Sequence, residues 1–85
     1  MNDYPTEAEL ERIVKWPNDY HALMEYVRSL WEYDSFKRTG NRYRLATMGW
    51  SGNEDIISAL HENTMFWLHC WRLSKRGGLY VFEVE

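Results

Sequence analysis

Met65-Phe66-Trp67-Leu68-His69-Cys70-Trp71-Arg72-Leu73 is the stretch on which the fold turns. It is apolar on both alternating faces, broken only by His69 and Arg72. Such a run suits a central strand covered on both sides, and it predicts one over 65–73. A helix is the competing reading, because a short apolar run fits both periods. Directly after it, Ser74-Lys75-Arg76-Gly77-Gly78 reads as a hairpin turn, since paired glycines supply the positive φ that tight hairpins need. Leu79 to Val84 is then a last strand, rich in β-branched and aromatic residues.

Upstream, Tyr43, Leu45 and Thr47 alternate with Arg42, Arg44 and Ala46, which predicts a half-buried strand. That strand runs into Gly49-Trp50-Ser51-Gly52-Asn53-Glu54. Ser51 and Glu54 have the spacing of a capping box. They open a helix with Ile56, Ile57, Ala59 and Leu60 on its inner face, and Asn63 reads as its left-handed stop. Near the start, Thr6-Glu7-Ala8-Glu9 is another capping box, followed by the stripe Leu10, Ile13 and Val14. Trp16-Pro17 closes that helix, spanning Thr6 to about Lys15, because the residue before proline is pushed out of helical geometry. Asn18 and Asp19 cap a second helix from Asp19 to Glu32. Its stripe is Tyr20, Leu23, Met24, Val27, Leu30 and Trp31. Thr39-Gly40-Asn41 is a turn.

The expected order is therefore α-α-β-α-β-β, an α+β domain with three helices packed on a small three-stranded sheet. The helix between the first two strands carries the chain back along the sheet, so those strands point the same way. They are either parallel neighbours or separated by the third strand. In both cases their C-terminal ends share one edge of the sheet.

Eighty-five residues make one domain, 1–85, with room for a single modest core. Hydrophobic residues are 45% and charged residues 27%, ordinary globular composition. The five Trp, six Tyr and three Phe are a large share for so short a chain, and they can stabilise it without disulfides or metal. A formal charge of −3 argues against a grip on bulk nucleic acid through net charge. One cysteine excludes an intrachain disulfide and a multi-thiolate metal site. No signal stretch opens the chain, and the longest apolar run is Met65 to Leu68, so a soluble protein of the cytoplasm with no membrane partner is expected.

The two strand ends that share an edge carry the candidate chemistry. Trp50, Ser51, Gly52, Asn53 and Glu54 leave one; Ser74, Lys75, Arg76 and Gly77 leave the other. A glycine turn entering a helix offers backbone N–H groups, and the Lys-Arg pair offers positive charge. A nucleotide-like anion fits, with Trp50 as a stacking face and Arg76 on a phosphate. Caps and turns explain the same residues without any ligand. His69 and Cys70 are neighbours and would face opposite sides of a strand, so they form no nucleophile–base pair. No histidine spacing fits zinc, and the carboxylate pairs Glu7/Glu9 and Glu54/Asp55 follow from helix N-terminal preference. No catalytic residue, metal or cofactor is expected. Tyr33, Phe36, Tyr43, Arg42 and Arg44 mix rings with charge and could stack single-stranded nucleic acid. Tyr4, Trp16, Tyr26 and Trp31 exceed what one small core holds. They predict a homo-oligomer or partner surface, with Trp31 and Tyr26 in the patch.

The stretch Ala46-Thr47-Met48-Gly49-Trp50-Ser51-Gly52-Asn53-Glu54-Asp55-Ile56-Ile57 resembles a small family of proteins encoded by phages and prophages. Met65-Phe66-Trp67-Leu68-His69-Cys70-Trp71 and Ser74-Lys75-Arg76-Gly77-Gly78 continue the likeness, over the last half to two-thirds of the chain. Met48, Lys75 and Leu79 stand where that pattern often has Gly, Arg and His. The resemblance implies a counter-defence role and no enzymatic activity. Two functions follow as expectations. One is a non-enzymatic sponge that sequesters a small nucleotide-like anion at the paired turns. The alternative is a protein-binding, anti-CRISPR-like inhibitor of a host defence protein that uses an exposed aromatic surface on helix 2 and strand one.

Overall fold

In a computed structural model that describes residues 4–85, the first helix begins where its capping box sits. Thr6 Oγ1 accepts from the Glu9 backbone N–H at 3.1 Å, and the Thr6 N–H donates back to Glu9 Oε1 at 2.8 Å. These bonds satisfy the first orphan donors of α1 (Glu7–Val14), whose Ile13 is fully buried. Asp19 caps α2 (Tyr20–Leu30) from a left-handed backbone, φ 53°, its carboxylate accepting from Ala22 N–H at 3.2 Å. Leu23, Met24 and Val27 form its fully buried stripe.

The strands are β1 (Phe36–Thr39), β2 (Arg42–Ala46), β3 (Trp71–Lys75) and β4 (Leu79–Glu83). Between β2 and β3 lie α3 (Ser51–Glu62) and α4 (Thr64–Cys70). The sheet is antiparallel throughout, in the order β1-β2-β4-β3. The described residues thus form four helices and four strands, not three and three; the α+β class stands and the count is corrected.

Both additions have a physical reason. β1 has one buried residue, Phe36, and is otherwise charged or polar, so it carries no hydrophobic period of its own. It exists because the Gly40-Asn41 turn folds it onto β2, pairing Thr39 with Arg42 and Phe36 with Leu45. The 65–73 run is not a central strand. It divides at Cys70/Trp71 into α4 and an edge strand, and the centre of the sheet belongs to β2 and β4. Asn63 decides this. Instead of a left-handed stop it has φ −77°, and its side chain accepts from Phe66 N–H at 3.2 Å, the N-cap of α4. Helical period then buries Phe66 and Cys70 and leaves Met65 and Leu68 in solvent, Leu68 at 72% exposure. The apolar run has a wet face that hydrophobicity alone did not reveal.

The Ser51/Glu54 capping box does not form. Trp50 is the N-cap of α3 and makes no side-chain cap bond, while Ser51 Oγ donates to the Tyr4 hydroxyl at 3.0 Å. The expected oligomer patch is also used internally. Trp31 is buried edge-on to Phe36 at 6.3 Å, and its Nε1 donates to Ser35 Oγ at 3.0 Å. Tyr26 packs on Trp16 at 5.5 Å beneath the Arg12 guanidinium.

β2 and β3 run the same way with β4 between them, the second of the two arrangements open from the sequence. Ala46 and Lys75 both pair with Leu79, so the C-terminal ends of β2 and β3 share an edge. The helices cover one face of the sheet, over Tyr43, Leu45 and Phe82, with Phe66 of α4 packed onto Phe82. Among the described residues no helix is long and apolar enough to cross a membrane.

Candidate binding face

The two candidate turns do meet. Thr47 N–H donates to the Gly78 carbonyl at 3.0 Å, joining the end of β2 to the β3–β4 hairpin. The turn residues, however, are largely engaged with the chain itself. The Trp50 ring folds back over Gly52, where a Cβ would collide with it, and Tyr4 stacks on Trp50 at 5.1 Å. Asn53 is fully buried. Its Oδ1 accepts from Glu32 N–H at 3.1 Å, and its Nδ2 donates to the Glu32 and Thr47 carbonyls at 2.9 and 3.3 Å. Ser74 Oγ accepts from Trp71 Nε1 at 2.8 Å. Ser51 is held by Tyr4, and Gly77 sits at the hairpin tip with φ 88°. Glu54, Lys75 and Arg76 are the charged members of the set, and all three are exposed.

A different surface collects the free charge. Directly opposed residues of an antiparallel pair share a face. The register places Lys37, Arg44, Val81 and Leu73 in one row across the outer face of the sheet. Arg42 and Glu83 form a second row, and Ala46, Leu79 and Lys75 a third. Arg42, Arg44 and Lys75 border a shallow depression of about 220 Å³ with Leu73, Leu79 and Val81. Arg42 and Arg44 are two residues apart on one strand, so their Cα atoms are about 6.6 Å apart.

Most cations of the chain already have a partner. Lys15 meets Glu11 at 2.8 Å, Lys37 meets Asp34 at 3.0 Å, Arg38 meets Glu25 at 3.9 Å, and Arg72 meets Glu83 at 3.4 Å. Arg12 lies over Trp16 and Tyr26, and Arg28 over Phe36. Among the described residues, the cations with neither a carboxylate nor a ring partner are Arg42, Arg44, Lys75 and Arg76. Three border one depression and the fourth follows Lys75 on its hairpin. The helices carry Glu7, Glu9, Glu11, Glu25, Glu54, Asp55 and Glu62. Charge is thus partitioned between an acidic helical layer and a basic sheet face, which the net value of −3 conceals.

The sequence put Arg42 and Arg44 beside Tyr33, Phe36 and Tyr43 as a stacking surface. Phe36 and Tyr43 are buried under the helices, on the opposite face from both arginines. The alternation in Arg42-Tyr43-Arg44-Leu45 was the available signal. What it lacked was β4 and β3, which bring Lys75 alongside.

A second depression, of about 320 Å³, is lined by Asp19, Tyr20, His21, His69, Val84 and Glu85. His21 Nδ1 lies 2.7 Å from the Tyr43 hydroxyl, whose pKa is raised by burial, with Arg38 opposing. Cys70 is buried on α4, and burial pushes its thiol up to about 11, against the pull of Arg72. A protonated, enclosed thiol is a poor nucleophile. No three or more His, Cys, Asp or Glu among the described residues are placed to hold a metal ion. Comparison with protein-family models, curated proteins and solved structures gives no match in any of the three.

Proposed function

We propose that this chain is a non-enzymatic, phage-type accessory protein that binds an anionic partner on the outer face of its sheet. Arg42, Arg44 and Lys75 are the contacts, with Arg76 at the rim. The observation that carries this is the convergence of the unpartnered cations. Like charges held together on a rigid sheet repel each other and disfavour folding, and an anion relieves that repulsion on binding.

The geometry favours a macromolecular partner over a nucleotide sponge. A depression of about 220 Å³ is smaller than the usual small-molecule site of roughly 300–1,000 Å³. The stacking face expected of Trp50 is occupied by Tyr4. The reading is therefore an inhibitor that docks by charge, not by the aromatic surface expected from helix 2. The likeness of the Ala46–Ile57 stretch, of Met65–Trp71 and of the Ser74–Gly78 hairpin to phage-encoded proteins supports a counter-defence setting with a host protein as target.

Retention on a sulfonated resin at neutral pH and low salt tests the anionic reading. The parent is retained despite its negative charge, and R42E/R44E flows through while still showing a cooperative melting transition. R12E/K15E, which carries the same net charge but alters the helical layer, is retained. Equal behaviour of the two double variants would discard the face as the site.

A further inference from the structure

The composition of the face narrows the partner further. We infer that it is an acidic polypeptide surface with aliphatic side chains set between its carboxylates, an inference that rests on the anionic-partner reading above.

The floor of the face is aliphatic. Val81 lies between Arg44 and Leu73 in one row, and Leu79 lies between Ala46 and Lys75 in the next. Val81 is nearly covered, whereas Leu73 and Leu79 are half-buried and present area that water still touches. A partner gains by covering that area only if it brings apolar atoms. A phosphate group brings none and a sugar little; a protein surface that alternates aliphatic side chains with Glu or Asp brings both kinds of group. Arginine then meets carboxylate through its planar fork.

Nucleic acid fits this face poorly. Single strands are held by rings on which bases stack. The strand rings Phe36, Tyr43, Tyr80 and Phe82 belong to the helix-covered side, and so by register does Trp71, which is exposed at the edge of β3 and stacks on Trp67 at 6.0 Å. Duplex binding draws on long-range positive potential, and this chain has a net charge of −3, with Glu83 on the face itself and an acidic helical layer behind it. A free phosphate fits poorly too. β2 and β4 are the two inner strands and spend their backbone N–H groups in ladders on both sides, so no cradle of main-chain donors faces the depression.

The experiment titrates the whole chain with five labelled probes by fluorescence anisotropy. They are a helical peptide with a leucine stripe bordered by Glu, a poly-Glu peptide of equal charge, a thymidine oligonucleotide, a short duplex, and ATP. The leucine-Glu peptide is expected to bind about tenfold more tightly than poly-Glu and both oligonucleotides, and R42E/R44E to weaken it about tenfold or more. L73T/L79T is expected to reduce its affinity to that of poly-Glu while leaving poly-Glu binding unchanged. Leu73→Thr alone gives a smaller loss in the same direction and serves if the double variant melts early. An oligonucleotide or ATP that binds as tightly as the leucine-Glu peptide and is weakened by R42E/R44E overturns the polypeptide class but keeps the anionic reading. Indifference of the leucine-Glu peptide to L73T/L79T, in a folded variant, overturns the aliphatic floor. Indifference of every probe to R42E/R44E overturns both readings.

Discussion

Thr47 and Gly78 are joined twice. The Thr47 N–H donates to the Gly78 carbonyl at 3.0 Å, and the Thr47 hydroxyl fills the space a Cβ at position 78 would need. This contact fixes the end of β2 against the hairpin that carries Arg76, and so fixes the edge of the basic face. Gly78 also has φ 85°. Gly78→Ala is therefore expected to cost about 2–3 kcal/mol, combining left-handed strain with a clash against a buried side chain. Gly77, φ 88°, has nothing within 4 Å of its missing Cβ. Gly77→Ala should cost only about 1–2 kcal/mol, from the backbone alone. Urea denaturation of the two variants measures the difference; equal losses would mean the Thr47 contact is not tight.

Two buried asparagines act as rivets. Asn63 Nδ2 donates to the carbonyls of Ile13 and Trp16 at 2.9 and 3.1 Å while its Oδ1 caps α4. Asn53 binds Glu32 and Thr47. Replacing either by Ala strands buried backbone groups, and each substitution is expected to remove about 2–4 kcal/mol. Thermal and urea melts check this, and a loss below 1 kcal/mol for both would contradict the bonding described.

Ser51→Ala should behave unlike a cap removal. A working N-cap is worth about 1 kcal/mol. Ser51 instead makes one exposed bond to Tyr4, so the loss is expected to stay under about 0.5 kcal/mol. Arg76→Ala should be equally mild in stability while weakening the anionic contact, because its side chain is exposed at the hairpin.

Alkaline pH should destabilise the fold through Cys70. Its folded pKa, about 11, lies above the ordinary value of 9.0 because burial disfavours the thiolate. The folded state thus holds the proton more tightly than the unfolded chain does. Stability is full below about pH 9 and is lost as pH rises toward about 11. Tyr43, also raised by burial, adds a loss of the same sign above its ordinary value of 10.0. Urea melts across this window should show the decline, and Cys70→Ala should make it shallower. Slow alkylation of the thiol at pH 8, with a burst on unfolding, is the companion measurement.

Local signals were enough for much of the chain. The Thr6/Glu9 box, the Asp19 cap, the α2 stripe and the Arg42–Thr47 alternation each depend on residues within a few positions of one another, and each is found where the sequence puts it. So is the meeting of the β2 and β3 ends, which follows from a helical return between two strands.

What the tertiary structure alone decided is which groups those local patterns would meet. Asn63 had the carbonyls of Ile13 in α1 and of Trp16 just beyond it to bind, some fifty residues away, and so held it ends α3 and caps α4 at once, turning an apolar run from strand into helix and edge strand. β1 gained its identity from β2, not from its own period. The binding face is the clearest case. Arg42 and Arg44 come from one strand and Lys75 from another, and they become one surface only through β4, which pairs with both. Whether a cation is free depends on the distance to every carboxylate and ring in the molecule. Composition sums charge and helical or strand period sorts it by face, but neither contains those distances.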